Sequence, residues 1–184
     1  MTRRRFLFDQ PDRFLAGTVG EPGNRTFFLQ ARDGTRITSV ALEKVQVAAV
    51  CQRLTELLDE LERRGIEGSE DIDATPEALP LDEPINEAFR VGTLSLGWDT
   101  GEQLVLVEAR ELTDDEEDEV DAFEDDDDED GPDILRVRLL PIAAREFVAR
   151  ALRVMSAGRP PCPLCGQPLD PAGHLCPRHN GYHR

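Results

Sequence analysis

The chain is poor in several features that would indicate a function. Aromatic residues make up 5% and apolar residues 39% of its 184 residues, so a core of modest size is expected. No apolar run approaches the roughly 18 residues that a membrane helix needs, so we expect no transmembrane segment. The N-terminus continues as Phe6-Leu-Phe-Asp-Gln-Pro11 rather than as a long apolar stretch. We therefore expect no secretory signal and a cytoplasmic protein.

Histidine is missing from most of the chain. The three histidines are His174, His179 and His183, so residues 1–173 hold none for general base chemistry. Glycine-rich phosphate loops and the Gly-x-Ser-x-Gly motif are also missing. The sequence therefore favours a non-catalytic protein, with an enzyme of unrecognised type as an alternative.

The net charge of −17 originates in one segment. Between Asp114 and Asp130, 14 of 17 residues are acidic, which leaves 24 acidic against 21 basic residues elsewhere. Such a run repels itself and buries too little apolar surface to order, so residues 113–131 are predicted to be a disordered loop. Alternatively the loop docks on a basic partner, with Val120 and Phe123 as apolar anchors. Its charge opposes tight nucleic-acid binding nearby.

The first third of the chain predicts strands followed by a helix. Turn residues separate the apolar segments, and Asp33-Gly34 is a strong hairpin signal. A helix is predicted from Glu43 to Arg64 because apolar residues recur at spacings of three and four, and Gly65 ends it. The predicted strands are Arg13–Val19, Thr26–Arg32 and Thr35–Leu42, and the predicted helix face is Val47, Val50, Leu54, Leu57, Leu58 and Leu61.

The second part of the chain resembles the first. The matched segments are Asp9–Pro11 with Asp82–Pro84, Phe14–Val19 with Phe89–Leu94, Phe28–Arg32 with Leu106–Arg110, and Val40–Leu42 with Val137–Leu139. The first three matches are separated by 73, 75 and 78 residues, and the fourth by 97 residues. The separation increases at the fourth match because the acidic run replaces the short turn at Asp33-Gly34. A second helix with Pro141 in its first turn is predicted to follow, with Ile142, Phe147, Ala151, Leu152 and Met155 buried.

These patterns predict an α+β fold made of an internally duplicated unit of three to four antiparallel strands plus one helix. Pseudo-twofold packing of the two units is the simplest arrangement. The topology is similar to that of Whirly-type and Pur-type single-strand nucleic-acid binders, which is an analogy of fold alone. The predicted divisions are a first repeat at 1–65, a linker at 66–80, a second repeat at 81–157 with the acidic loop 113–131, and a zinc-binding tail at 158–184.

The C-terminal tail has the spacing of a zinc site. Cys162-Pro-Leu-Cys165 is followed after ten residues by Cys176-Pro-Arg-His179. Two thiolates on a tight turn bind one ion, and the second pair completes a tetrahedral Cys₃His set suited to Zn²⁺. Four protein ligands close the coordination sphere, so the zinc is predicted to be structural. His174 and His183 are alternative fourth ligands.

Other interpretations of the cysteines are less consistent with their context. A disulfide between Cys162 and Cys165 is disfavoured in a reducing cytoplasm, and a thioredoxin-like redox pair lacks its strand–helix context. Cys51 and Trp98 are predicted to be packed side chains rather than site residues.

Both ends of the chain resemble a known family. Phe6-Leu-Phe-Asp-Gln-Pro-Asp-Arg-Phe14, Ala16-Gly-Thr-Val-Gly20 and Cys176-Pro-Arg-His-Asn-Gly-Tyr-His183 are similar to domain-of-unknown-function family 3090, an actinobacterial family. The resemblance implies a cytoplasmic actinobacterial protein encoded near a histidine-phosphatase-like and a kinase-like protein, either of which is an expected partner. It carries no established catalytic residues, so none are transferred to this chain. Lys44 is the only lysine, a bias typical of high-GC genomes.

Together these patterns predict a zinc-binding adaptor or regulatory binding module with a protein partner. The alternative is a nucleic-acid-binding regulator that uses a basic sheet face and the basic residues of the tail. An enzyme would instead require a deep pocket with convergent polar groups.

Overall fold

In the computed structural model the chain forms a seven-stranded mixed sheet with two helices, which confirms the α+β class. The structure describes residues 3–21, 23–72, 76–77, 79–113, 123, 131–157 and 162–165. The elements are β1 (Arg5–Asp9), β2 (Arg13–Val19), β3 (Thr26–Asp33), β4 (Arg36–Leu42), α1 (Lys44–Arg63), β5 (Glu87–Asp99), β6 (Leu104–Glu111), β7 (Ile134–Leu139) and α2 (Pro141–Ser156).

The strand order is β1-β7-β6-β5-β4-β3-β2. Strands β2, β3 and β4 form one antiparallel meander, and β5, β6 and β7 form a second. The meanders join through a parallel pair, β4 with β5, and α1 makes the crossover between those strands. Strand β1 adds to the other edge, parallel to β7. The two predicted units therefore share one continuous sheet.

The two units are related by a shift along the sheet, so the expected pseudo-twofold packing is wrong. The strand order β7-β6-β5 followed by β4-β3-β2 repeats the first meander without inverting it, whereas a two-fold axis between the meanders would invert the order. The parallel pairing of β4 with β5 also excludes an axis perpendicular to the sheet, which would reverse the strands of one meander. Each meander is followed by its helix. The last strand of each meander also has a parallel neighbour: β4 pairs with the start of β5, and β7 pairs with β1. That this repeat arose by duplication stays a prediction.

The strand registers correct part of the proposed alignment. Gly17 pairs with Phe28, and Gly97 pairs with Leu106, so these two glycines occupy equivalent positions. Their offset is 80 residues rather than 75, so the similar sequence Gly92-Thr-Leu94 does not occupy the position equivalent to Gly17-Thr-Val19. The offsets of 78 and 97 agree with the registers of the later strands.

Both helices pack on the inner face of the sheet. Every predicted stripe residue of α1 is buried or packed against the core, and Gly65 follows the helix with φ at +75°, as a C-terminal cap requires. In α2 the predicted face is partly wrong, since Ile142 and Leu152 are 41% and 51% exposed. The helix turns inward because Phe147 stacks on Phe14 of β2, which buries Ala144, Phe147, Val148 and Ala151.

Neither helix is long and apolar enough to cross a membrane, as far as the described residues show.

The segment after α1 contributes to the packing. Ser69 is fully buried, and its carbonyl accepts a hydrogen bond of 2.7 Å from Nε of Arg145. A second nitrogen of Arg145 lies 2.7 Å from the Asp59 carboxylate on α1. This buried arginine therefore connects α2, α1 and the segment predicted as a linker.

Residues near position 81 cover the outer face of the first meander. The Leu81 side chain lies over Gly17, where a Cβ atom would approach it to 2.5 Å. The Gln30 side chain donates a hydrogen bond to the Asp82 carbonyl and accepts one from the Asp82 amide. Gln30, Ser39 and Ala41 are consequently buried on the face away from the helices.

The acidic insertion lies in the hairpin between β6 and β7, as its offset predicts. The strands end at Glu111 and resume at Ile134, and the Glu111 amide donates a 2.9 Å hydrogen bond to the Asp133 carbonyl at its base. Within 114–130 the structure describes Phe123, so the predicted disorder falls outside the described residues.

We expect the domain to fold without the insertion. Replacing residues 113–131 by Asp-Gly reproduces the turn of the β3–β4 hairpin, and loop closure changes little with loop length. The melting temperature should stay within about 5 °C of that of the natural chain, measured by calorimetry. Cooperative loss of structure would show that the insertion belongs to the core.

Candidate functional site

A buried cluster of charges lies on the outer face of the second meander. Glu108 has no exposed surface. Nε of Arg110 lies 2.8 Å from one of its carboxylate oxygens, and Nε of Arg136 lies 2.7 Å from the other. Arg110 is two residues along the same strand and Arg136 is directly opposite on β7, so strand geometry alone brings the three together.

Next to this cluster a pocket of about 360 Å³ opens between β1 and the β3–β4 hairpin. The sheet curls, so that β1 at one edge lies near β3. We call this the arginine pocket; it is lined by Leu7, Phe8, Asp9, Asp33, Arg36, Arg136 and Arg138.

Two of the pocket arginines lie farther from their carboxylate partners than a strong charge-assisted hydrogen bond allows. Arg36 stacks on the Phe8 ring, 4.2 Å from its centroid, and lies 3.4 Å from the Asp33 carboxylate. Arg138 lies 3.4 Å from Asp9 and 3.3 Å from Asp99. Strong charge-assisted hydrogen bonds are shorter, about 2.7–2.9 Å. Three arginines against two aspartates give the lining a formal charge of +1.

Asp99 is held in its ionised form. The hydrogen bond from the Glu102 backbone amide lowers the pKa of the Asp99 carboxyl, outweighing desolvation, and the Gly101 amide and the Arg138 guanidinium lower it further. The carboxylate therefore stays charged in the neutral range and orients Arg138 across the sheet.

The chemistry of the arginine pocket suits binding of an anion. A guanidinium keeps its proton at any physiological pH and presents five N–H donors that match carboxylate and phosphate oxygens. It cannot serve as a general acid or base. The volume lies within the range of small-ligand sites, roughly 300–1,000 Å³. The arrangement can therefore hold a carboxylate or phosphate group.

Half of the predicted zinc ligands lie in the described part of the chain. Cys162 is 6% exposed and Cys165 is half-buried, and a turn at 163–165 connects them. Cys176 and His179 lie outside the described residues, as do the alternatives His174 and His183. Within the described ranges no group of three or more His, Cys, Asp or Glu side chains is placed to hold a metal.

The two residues predicted to be packed are packed. Cys51 is 2% exposed in α1, and burial raises the pKa of its thiol to about 11, so it is a neutral apolar side chain at physiological pH. Trp98 pairs with Val105 near the end of β5 and packs against the core.

The arginine pocket was not predicted from the sequence. A signal was present: Glu108-Ala-Arg110 and Arg136-Val-Arg138 each place charges two residues apart, and therefore on one face of a strand. The pairing of β7 with β6 and the approach of β1 to the β3–β4 hairpin were needed to bring these residues and Arg36 together.

Removing the Glu108 carboxylate should destabilise the fold strongly. Glu108→Ala removes the carboxylate shared by the buried Arg110 and the part-buried Arg136, and losing one partner of a buried ion pair costs about 3–5 kcal/mol. Glu102→Ala, at an exposed turn, is the matched control and should change the free energy of unfolding by less than about 0.5 kcal/mol. Urea denaturation measures both, and equal effects would contradict the role of Glu108.

Comparison with known proteins agrees with the resemblance seen at the two ends of the sequence. A family model described as Protein of unknown function (DUF3090) matches residues 6–176, which include both meanders, both helices and three of the four predicted zinc ligands. Searches of curated proteins and of solved structures found no match. Because the matched region covers more than nine-tenths of the chain, the protein belongs to this family of unknown function, DUF3090.

Proposed function

We propose that the protein is a non-catalytic binding module, an adaptor or regulatory protein, that takes an anionic group of a protein partner in the arginine pocket. The observation that carries this proposal is the convergence of Arg36, Arg136 and Arg138 on one pocket. Arg36 and Arg138 hold their carboxylate partners at 3.3–3.4 Å, so an incoming carboxylate or phosphate can compete for their donors.

A protein partner suits this surface better than a nucleic acid does. The acidic insertion, with 14 acidic residues of 17, leaves directly from β6 and β7, the strands that carry Arg110, Arg136 and Arg138. A polyphosphate chain crossing that face would be repelled by it. A single anionic group on a folded partner, or a short acidic segment that displaces the insertion from this face, adds less net charge there than a polyphosphate chain does. The histidine-phosphatase-like or kinase-like protein implied by the family resemblance is the first partner to test.

Arg36→Gln should weaken binding of an anionic probe about tenfold, since a hydrogen bond to a charged group contributes roughly 1.5–3 kcal/mol. Arg36 is half exposed at a hairpin, so its loss should not unfold the chain. Isothermal titration with a hexaglutamate peptide and, separately, with inorganic phosphate tests which anion the arginine pocket prefers.

Arg53→Gln is the matched control for that experiment. It removes the same charge from an exposed position on α1, whose packed face lies against the inner side of the sheet. Equal weakening by both variants would show that net charge, and not the arginine pocket, determines binding. Failure of both probes to bind either the natural chain or the chain with residues 113–131 replaced by Asp-Gly would refute the proposal.

We also propose that the tail holds one structural Zn²⁺ through Cys162, Cys165, Cys176 and His179. Support comes from the turn that separates the first two cysteines, because a Cys-x-x-Cys turn directs two thiolates toward one ion. The burial of Cys162 is consistent with a ligand rather than an exposed reactive thiol. A cytoplasmic location, which we propose as well, keeps these thiols reduced.

Chelation, or Cys162→Ser with Cys165→Ser, should disorder the chain from about residue 159 onward and leave the sheet and helices folded. Ordering some 25 residues costs roughly 1 kcal/mol or more each, and the few apolar residues of the tail cannot offset that cost. Apparent zinc binding energies of about 10–16 kcal/mol in finger peptides can. Hydrogen exchange with mass spectrometry, segment by segment, measures the effect.

Cys51→Ala is the control for the loss of a cysteine, because Cys51 is buried in α1 far along the chain from the tail. It should leave the zinc content at one ion per chain. Less than about half an equivalent of zinc in the metal-replete natural protein, or a tail protected without metal, would refute the zinc proposal.

A further inference from the structure

The one described residue of the acidic run, Phe123, lies against the sheet at Gly97. A Cβ atom at Gly97 would lie 2.9 Å from Cε2 of the Phe123 ring and 3.3 Å from its Cζ, so any other residue there would displace the ring. Gly97 pairs with Leu106, and both lie on the outer face with Glu108. We call the surface formed by Gly97 and Leu106 the Gly97 seat.

The first meander contains an equivalent seat with a known occupant. Gly17 corresponds to Gly97, and it is covered by Leu81. The next residue, Asp82, places its carboxylate 2.7 Å from Arg13 and 3.4 Å from Arg32. The outer face of the first meander thus binds an apolar side chain, Leu81, followed by an acidic one, Asp82.

The outer face of the second meander carries more charge than that of the first, and it suits the same pair of an apolar and an acidic side chain. Glu108 takes the place of Gln30, Arg136 that of Ser39 and Arg138 that of Ala41, as the strand registers show. Arg138 is directly opposite Leu106 on the neighbouring strand, in the same row as the Gly97 seat. In the sequence Phe123 is followed by Glu124 and Asp125. Charge complementarity therefore favours an acidic segment across this face.

We propose that the Gly97 seat is a binding site for an aromatic side chain in an acidic peptide segment, occupied in this chain by Phe123 and open to a partner's segment of the same chemistry. This inference rests on the proposed function, because it names the partner class whose acidic groups reach the arginine pocket. The insertion then acts as an internal competitor, since a tethered segment has an effective concentration in the millimolar range.

The test compares the full natural chain with its full-length Phe123→Ala variant. The probe is a fluorescein-labelled peptide with the sequence of residues 119–128, which contains Phe123 among seven acidic residues. Fluorescence anisotropy should show at least about tenfold tighter binding to Phe123→Ala, because the competitor has been removed. The same peptide with its phenylalanine replaced by alanine should lose that gain.

A second variant locates the binding on the sheet. Adding Gly97→Leu to Phe123→Ala fills the seat and should return peptide affinity to the level of the natural chain or below. Gly97 lies in an extended strand, outside the positive-φ glycines, so leucine is compatible with its backbone. If that double variant fails to fold, the affinity of the alanine-substituted peptide for the Phe123→Ala chain still shows whether binding depends on the phenylalanine side chain.

The outcomes separate this inference from the proposed function. Binding that needs acidic residues and Arg36 but not the peptide's phenylalanine would overturn the Gly97 seat and leave the arginine pocket standing. Binding that needs the phenylalanine but is unchanged by Arg36→Gln supports the seat alone. Tighter binding of an oligothymidylate than of the peptide would overturn the inference, as would a dimer that Phe123→Ala converts to a monomer, since the seat would then serve a second copy.

Discussion

The burial of Glu108 is the constraint on which the outer face of this protein depends. A carboxylate with no exposed surface is tolerated only where charged donors satisfy both of its oxygens, and Arg110 and Arg136 do so from the same strand and the next. The ion pair with Glu108 fixes the position of Arg136, which forms one wall of the arginine pocket. Arg138, two residues further along β7, then faces the same side of the sheet and reaches Asp9 and Asp99. The chemistry of the pocket thus follows from one buried charge and the period of two along a strand.

The two halves of the sheet share their topology but differ in what covers them. In the first half an amide, a hydroxyl and a methyl group, those of Gln30, Ser39 and Ala41, are sealed by the segment around Leu81. The equivalent positions in the second half carry a carboxylate and two guanidiniums, and a long acidic insertion leaves beside them. The outer face of the first meander is therefore neutral at these three positions, while that of the second meander is charged. Fold alone does not indicate such a division; the side chains on the face do.

Local patterns predicted the elements well, and they did so for identifiable reasons. The short turn at Asp33-Gly34, the cap at Gly65 and the proline that begins α2 are signals contained within a few residues, and the structure confirms each. The buried face of α2 was predicted less well because Ile142 and Leu152 are apolar yet remain 41% and 51% exposed. The repeat was aligned five residues away from the true register in β5, because the similar Gly-Thr pairs at Gly17 and Gly92 do not occupy equivalent positions. The register is set by strand pairing, which has no local sequence signal.

The sequence by itself determined the fold class, the two helices and the position of the acidic insertion within a hairpin, since each depends on periodicity, turn chemistry or composition. The family was indicated by the resemblance of specific motifs, and the match of the family model shows it. The sequence also predicts the zinc ligands, whose spacing is local within each pair. Tertiary structure alone decided that the meanders are related by translation, that β1 pairs with β7, and that Arg36 from one half meets Arg136 and Arg138 from the other. The physical reason is that register and strand order are set by contacts between residues far apart in the chain, such as Phe8 and Val137, whose energies do not appear in any local window of the chain.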